Sequence, residues 1–110
     1  MQGNKRKNKH NAKVTYCDGI RFASKLEATR YRELKRLEAD GQISELRLQV
    51  RFNLIPPKKP LRGVSYVADF VYRDVHGDFI VEDAKGVRTK DYIIKKKLMW
   101  YMHGILIHEV

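Results

Sequence analysis

The chain has 110 residues, a length that a single domain with one hydrophobic core accommodates. Hydrophobic residues make up 43% of it, which supports a small packed core and excludes a wholly disordered chain. Lysine and arginine number 23 against 13 acidic residues, and the formal charge of +10 favours a polyanionic partner such as nucleic acid. A single cysteine excludes a disulfide within the chain and a cysteine-based zinc site. The sequence has no apolar run of membrane-spanning length and no signal peptide, so we expect a cytoplasmic protein without a membrane partner.

The chain begins with a basic segment. Residues 1–12 contain four lysine or arginine residues, no acid and almost nothing to bury. This composition predicts a disordered basic arm, followed by a folded domain at residues 13–110. The arm residues that we expect to contact nucleic acid are Lys5, Arg6 and Lys7.

Turn residues and hydrophobic periodicity divide the rest of the chain into two helices and several strands. Asp18-Gly19 predicts a tight turn within a short hairpin over residues 14–22. The predicted helices run from Ser24 to about Asp40 and from about Lys90 to His103. The predicted strands of the main sheet span residues 46–55, 64–72, 79–85 and 105–109. The order αβββαβ predicts an α/β fold in which two helices flank a small mixed sheet.

Three acidic residues, Asp69, Glu82 and Asp83, occur in or beside apolar strand segments. A carboxylate in a buried strand is costly unless it is paired or bound to a metal. Because side chains at i and i+2 share a strand face, Asp83 and Lys85 project together, while Glu82 points to the other face. The turn at Gly77 makes the two strands antiparallel neighbours, an arrangement that can place Asp69 beside Asp83.

Two carboxylates and a lysine on one sheet face suit the hydrolysis of phosphodiester bonds. The carboxylates can bind Mg²⁺ or Mn²⁺, which polarises the phosphate and lowers the pKa of a bound water. The lysine can orient that water or neutralise the charge that develops on the phosphate. Composition and spacing leave one alternative open, in which Asp83 and Lys85 form a surface ion pair and Asp69 lies close to solvent.

Four segments form an ordered set along the chain: Ser24-Lys-Leu-Glu27-Ala28-Thr-Arg30-Tyr31-Arg-Glu33-Leu34, Leu46-Arg-Leu-Gln49, Tyr66-Val-Ala-Asp69-Phe70 and Glu82-Asp83-Ala84-Lys85-Gly86. This set resembles the PD-(D/E)xK nuclease superfamily, and more narrowly a family of small phage-encoded endonucleases related to Holliday-junction resolvases. The resemblance covers about residues 9–110 and implies a restriction-endonuclease-like αβββαβ core with the active site on the second and third strands. One departure is Ala68, where the superfamily name has proline; that position shapes the backbone and supplies no ligand.

The resemblance implies a metal-dependent endodeoxyribonuclease that uses no nucleotide cofactor. Asp69, Asp83 and the backbone carbonyl of Ala84 would bind Mg²⁺ or Mn²⁺, and Lys85 would serve the attacking water. The expected substrate is branched DNA (Holliday junctions, flaps or forks) during phage recombination, replication or packaging in the bacterial cytoplasm. Two alternatives remain, namely a non-catalytic nucleic-acid-binding module and a nuclease subunit that is active only with a partner.

Glu27 has two interpretations. It lies on the apolar face of the first predicted helix, turned toward the sheet, and Arg30 and Glu38 fall on the same face, which would allow an ion pair between them. Ser24-x-x-Glu27 is also a capping box, in which the carboxylate reaches back to the helix N-terminus. The resemblance assigns Glu27 to the active site as a catalytic residue and metal ligand. The resemblance also suggests that Gln49 lies near the active site. The alternative is that Gln49 is an ordinary exposed glutamine.

A group of basic and aromatic residues lies on and just before the second predicted helix. Because this group is close to Lys85 in the sequence, we expect it to contact phosphate. The alternative is that these charges only form a solvated helix face. The residues are Arg88, Lys90, Tyr92, Lys95, Lys96 and Lys97. The same helix is apolar around nearly its full circumference, although one sheet covers only one face. We therefore expect a homodimer, which would also supply the two incisions that a junction needs.

Overall fold

The computed structural model describes residues 13–85 and 87–110, so the predicted arm at residues 1–12 lies outside the described residues. The elements in chain order are β1 (Thr15–Cys17), β2 (Ile20–Phe22), α1 (Lys25–Ala39), β3 (Ser44–Ile55), β4 (Val64–Arg73), β5 (Phe79–Asp83), α2 (Lys90–His103) and β6 (His108–Glu109). The predicted α/β fold is confirmed: β1 and β2 form the hairpin, and β3 to β6 form a mixed four-stranded sheet. Neither α1 nor α2 has the length and hydropathy that crossing a membrane requires.

Both helices begin at the capping residue that the sequence offers. The Ser24 hydroxyl accepts a hydrogen bond from the Glu27 backbone N–H at 3.1 Å, and Thr89 accepts from the Tyr92 N–H at the same distance. Gly104 ends α2 with a left-handed φ of 67°, which glycine adopts without steric cost. The caps place Glu27 in the first turn of α1 and start α2 just beyond the end of β5.

The sheet has the strand order β3-β4-β5-β6, antiparallel except between β5 and β6, which are parallel. The turn between β4 and β5 is held by Asp74, whose Oδ1 accepts the N–H groups of His76 and Asp78, both at 2.9 Å. β5 ends two residues earlier than predicted, because the N–H of Ala84 bonds to the Asp69 side chain at 2.9 Å instead of to a strand. β6 starts later than predicted, and Ile105, directly after Gly104, still bonds to the Met99 carbonyl at the end of α2.

Two hydrophobic clusters cover the two faces of the sheet. The α1 cluster is built from Phe22, Ala28, Tyr31, Leu34, Ile43, Phe70 and Tyr72. The α2 cluster is built from Leu54, Tyr66, Ala68, Val71, Val81, Tyr92, Met99 and Ile107. Because successive side chains of a strand point to opposite faces, the assignment of Phe70 and Val71 to different clusters places the helices on opposite faces.

The strand pattern changes at Asp69 and Gln49. Ala68 and Val71 both pack in the α2 cluster, although regular alternation would place residues three apart on opposite faces. On the neighbouring strand, the two residues flanking Gln49 belong to different clusters, and Gln49 itself has a left-handed φ of 53°. A non-glycine residue in this conformation within a strand is uncommon and is typical of functional sites. Both strands therefore change face at the same level of the sheet.

Candidate functional site

Three carboxyl groups converge where β5 ends. Asp83 is the last residue of β5, Asp69 lies on the neighbouring β4, and Glu27 approaches from the first turn of α1. The strand register places Asp69 beside Asp83, and Asp69 and Glu27 share the Gln49 amide as a hydrogen-bond donor. Asp83 and Glu27 are buried, at 2% and 7% exposure, and Asp69 is partly buried. We call these three residues the acidic cluster; it contains the neighbouring Asp69 and Asp83 that the strand register predicts.

Lys85 adjoins the acidic cluster on the α2 side of the sheet. Its Nζ lies 3.4 Å from Asp83 Oδ1, as expected for side chains at i and i+2. The ammonium group also lies over the Tyr92 ring, 4.3 Å from its centroid. Because Asp83 is buried while the Lys85 side chain is 27% exposed, this is not a surface ion pair. The lysine instead places one positive charge at the boundary between the acidic cluster and solvent.

Gln49 bridges two members of the acidic cluster. Its Nε2 donates to Glu27 Oε2 at 3.1 Å and to Asp69 Oδ1 at 3.4 Å. The left-handed backbone at Gln49 costs about 1–2 kcal/mol relative to right-handed conformations. Gln49 is exposed, but the fold retains this strain where its side chain contacts two carboxyl groups, so it lies at the candidate site.

Glu27 lies both at the cap of α1 and beside the other carboxyl groups. Ser24 caps the first turn of α1 through the Glu27 backbone N–H, which is one half of a capping box. The Glu27 carboxylate accepts a hydrogen bond from Gln49, and the backbone at Ala23, one residue before the cap, favours its ionised form and lowers its pKa. The same side chain thus closes the helix N-terminus and belongs to the acidic cluster.

Burial dominates the electrostatics of the acidic cluster. The pKa of Asp69 is raised to about 8, first by desolvation and then by the neighbouring Asp83, while the Ala84 N–H opposes the rise. Desolvation also raises the pKa of Glu27, although the hydrogen bond from Ala23 opposes this. Neighbouring carboxylates in a low-dielectric site repel each other when all are ionised. A bound divalent cation would relieve that repulsion.

The donor atoms of the acidic cluster fit Mg²⁺ or Mn²⁺, which prefer carboxylate and carbonyl oxygens. Across residues 13–85 and 87–110, no set of three or more acidic, histidine or cysteine side chains has the arrangement of a complete metal cage. Asp69 and Asp83, with the adjacent backbone carbonyl of Ala84, form a smaller donor set. Mg²⁺ is usually bound through one or two carboxylates together with water and phosphate oxygens. This set therefore fits a cation that is shared with a phosphate substrate.

Two tyrosines that the sequence did not single out, together with Arg30, hold the acids of β5. The Tyr66 hydroxyl donates to Asp83 Oδ2, and the Tyr72 hydroxyl donates to Glu82 Oε2. Arg30 binds both carboxylate oxygens of Glu82, with Nε at 2.8 Å and a terminal nitrogen at 2.7 Å. Arg30 therefore pairs with Glu82 on the facing strand, and Glu38 pairs with Lys35 instead. The sequence carried one signal for these contacts: Glu82 is an acid in a buried strand, and a buried acid needs a partner.

The basic residues on and before α2 do not form one continuous surface. Arg88 and Lys96 both pair with Glu109, at 2.9 and 3.0 Å. The Tyr92 hydroxyl donates to the same carboxylate at 2.7 Å, and Tyr92 is only 6% exposed. Tyr92 therefore offers little surface of its own to nucleic acid, because its ring is part of the α2 cluster.

The remaining lysines of α2 point in different directions. Lys95 lines a cavity together with Lys85, whereas Lys97 lines a separate cavity of about 640 Å³ with Arg88 and Lys96. Lys90 is exposed at the start of the helix. Lys5, Arg6 and Lys7 lie outside the described residues.

Comparison with known proteins gives a family without an assigned activity. The family model described as "Protein of unknown function (DUF1064)" matches residues 7–106, which include both helices and all the residues of the candidate site. No curated protein matches the chain, and no solved structure matches it. The chain belongs to the DUF1064 family.

Proposed function

We propose that this protein is a Mg²⁺- or Mn²⁺-dependent endodeoxyribonuclease. The observation that carries the proposal is the convergence of Asp69, Asp83 and Lys85 at the end of β5, where the Gln49 amide joins Asp69 to Glu27. The element order αβββαβ, with the acids on the second and third strands, agrees with the resemblance to PD-(D/E)xK nucleases. These observations support a hydrolytic site more than a simple binding surface, since a nucleic-acid-binding surface gains nothing from buried carboxylates.

Each residue of the site has a role that follows from its contacts. Asp69 and Asp83, with the Ala84 carbonyl, would hold the cation, which when bound polarises a phosphate and makes a water more acidic. Lys85 presents a positive charge at the open side of the cluster, where charge develops on the phosphate. Gln49 holds Asp69 and Glu27 in place, so that little reorganisation is needed when the substrate binds.

We propose that the substrate is DNA, and branched DNA in particular. The formal charge of +10 favours a polyanion, and phosphate contacts alone can read the shape of a junction. The outer face of α2 exposes Ile94, Trp100 and Tyr101, at 56%, 59% and 85%. Apolar exposure of this kind supports the expected homodimer, in which two sites would cut a junction symmetrically.

The experiment is incubation of the full chain with labelled four-way, flap and linear DNA, in Mg²⁺, in Mn²⁺ and in EDTA. We expect cleavage only with metal and fastest on branched DNA. Binding of DNA on a gel without cleavage under any condition would favour a non-catalytic module. Cleavage that appears only after a partner protein is added would favour an obligate subunit.

A further inference from the structure

An open groove leads away from Lys85 between β4 and α2. β5 pairs with β4 only from Phe70 to Arg73, so in the described part of the chain the earlier half of β4 has no strand beside it on this edge. The first turns of α2 face the unpaired edge. A cavity of about 330 Å³ between them is lined by Ser65, Tyr66, Val67, Lys85, Thr89, Asp91, Tyr92 and Lys95. One end of this cavity therefore opens at the proposed catalytic lysine.

The groove continues to the loop between β3 and β4. A second cavity, of about 460 Å³, shares Ser65, Asp91 and Lys95 with the first and extends to Gly63. A third, of about 260 Å³, shares Gly63 and Ser65 with the second and reaches the loop at Pro56. A Cβ at Gly63 would lie 2.6 Å from the Ile55 carbonyl oxygen, so the close packing of this loop on the end of β3 requires glycine. We call the three adjoining cavities the α2–β4 groove.

Lys95 is the cation in the α2–β4 groove that is best placed to bind an anion. Among the described residues, Lys95 has no ion-pair partner, whereas Arg88 and Lys96 on the other side of α2 are paired with Glu109. The loop at the far end adds three exposed cations, namely Lys58, Lys59 and Arg62. Asp91 is the acidic side chain that lines the groove, and its charge opposes an anionic ligand. Two lysines, Lys85 and Lys95, line the groove together with this one acid.

We propose that the α2–β4 groove holds the phosphodiester backbone of the DNA strand beyond the cleaved bond, with Lys95 contacting a phosphate close to the one at Lys85. This inference rests on the proposed function for its position relative to the cleaved bond. It distinguishes Lys95 from its neighbours on α2, because Lys97 faces a different cavity and Lys96 is engaged by Glu109. The unpaired edge of β4 supports it further, since backbone N–H groups are common phosphate donors.

The test compares Lys95→Ala with Lys97→Ala, a matched control that removes the same charge from the same helix. Affinity for a short duplex is measured in EDTA over a range of salt concentrations, after thermal melting has shown that both variants fold. We expect Lys95→Ala to lower the slope of log K against log salt by about 1, and Lys97→Ala to lower it by less than half as much. We expect Asp91→Asn to bind more tightly than the wild type. Equal slopes for the two lysine variants, or a larger effect of Lys97→Ala, would overturn the proposal.

A second measurement separates the groove from the proposed function. Wild-type protein is tested for cleavage of the same duplex and of a four-way junction in Mn²⁺. If no DNA is cleaved but Lys95→Ala still has the larger effect on binding, the nuclease proposal fails and the groove remains as a nucleic-acid site. If cleavage occurs and the two lysine variants bind alike, the groove proposal fails and the nuclease proposal stands.

Discussion

Asp69→Asn should change how the stability of the metal-free protein depends on pH. The pKa of Asp69 is raised from 3.8 to about 8, chiefly by burial. A carboxyl group with a raised pKa contributes stability below its unfolded pKa, and this contribution is lost as pH rises through the folded value. Between about pH 4 and pH 8 the free energy of unfolding should therefore fall with pH, by at most about 1.4 kcal/mol per pH unit from this one group. Asparagine cannot ionise but keeps an oxygen that can accept from the Ala84 N–H.

The assay is urea unfolding in EDTA at pH 5, 6, 7 and 8. Wild-type protein should lose up to about 3 kcal/mol more than Asp69→Asn between pH 5 and pH 7. Asp78→Asn is the control, since Asp78 is an exposed aspartate in the turn between β4 and β5. At pH 7, Mn²⁺ at ten times its Kd should stabilise the wild type by about 1.4 kcal/mol and Asp69→Asn much less. Parallel pH curves for the wild type and Asp69→Asn would refute the reasoning.

Three further predictions concern the supporting residues. Glu27→Gln keeps the oxygen that closes the first turn of α1, so the free energy of unfolding should change by at most about 1 kcal/mol. Cleavage should fall by orders of magnitude or need far more Mg²⁺, because the negative charge is lost. Full activity in the folded variant would make Glu27 structural. Gln49→Gly should be about 1 kcal/mol more stable in urea than Gln49→Ala, because glycine adopts the φ of 53° freely; the reverse order would show that the backbone is unstrained. Arg30→Ala leaves buried Glu82 unpaired and should cost about 3–5 kcal/mol in urea unfolding, whereas Glu33→Ala removes only the exposed partner of Arg30 and should cost less than about 1 kcal/mol; similar losses would contradict this difference.

Local signals made most of the fold predictable. The Asp18-Gly19 turn and the Ser24 cap depend on residues that are adjacent in sequence, and the structure has the predicted hairpin and helix at both. The ends of β5 and β6 depend on contacts from other elements, such as the bond between Ala84 and Asp69. Periodicity could not reveal those contacts, so both strands are shorter than predicted.

The candidate site was predictable only in part, for the same reason. Spacing within one strand placed Asp83 with Lys85, and the hairpin register placed Asp69 beside them. The pairing of Arg30 with Glu82 joins residues 52 positions apart, and no local pattern specifies it. The burial of Tyr92 was hidden because α2 is apolar on nearly all sides, which leaves its core-facing side undefined in the sequence.

The most direct test of the proposed active site is a single-turnover comparison of the wild type, Asp83→Asn and Lys85→Ala on a labelled four-way junction in Mn²⁺. DNA binding by all three proteins is measured in EDTA, so that a loss of cleavage can be separated from a loss of affinity. We expect both variants to bind within a few-fold of the wild type and to cut at least about 100-fold more slowly, because each loses a group that acts on the reacting phosphate. A folded Asp83→Asn or Lys85→Ala protein that cuts the junction at the wild-type rate would contradict the assignment of the active site.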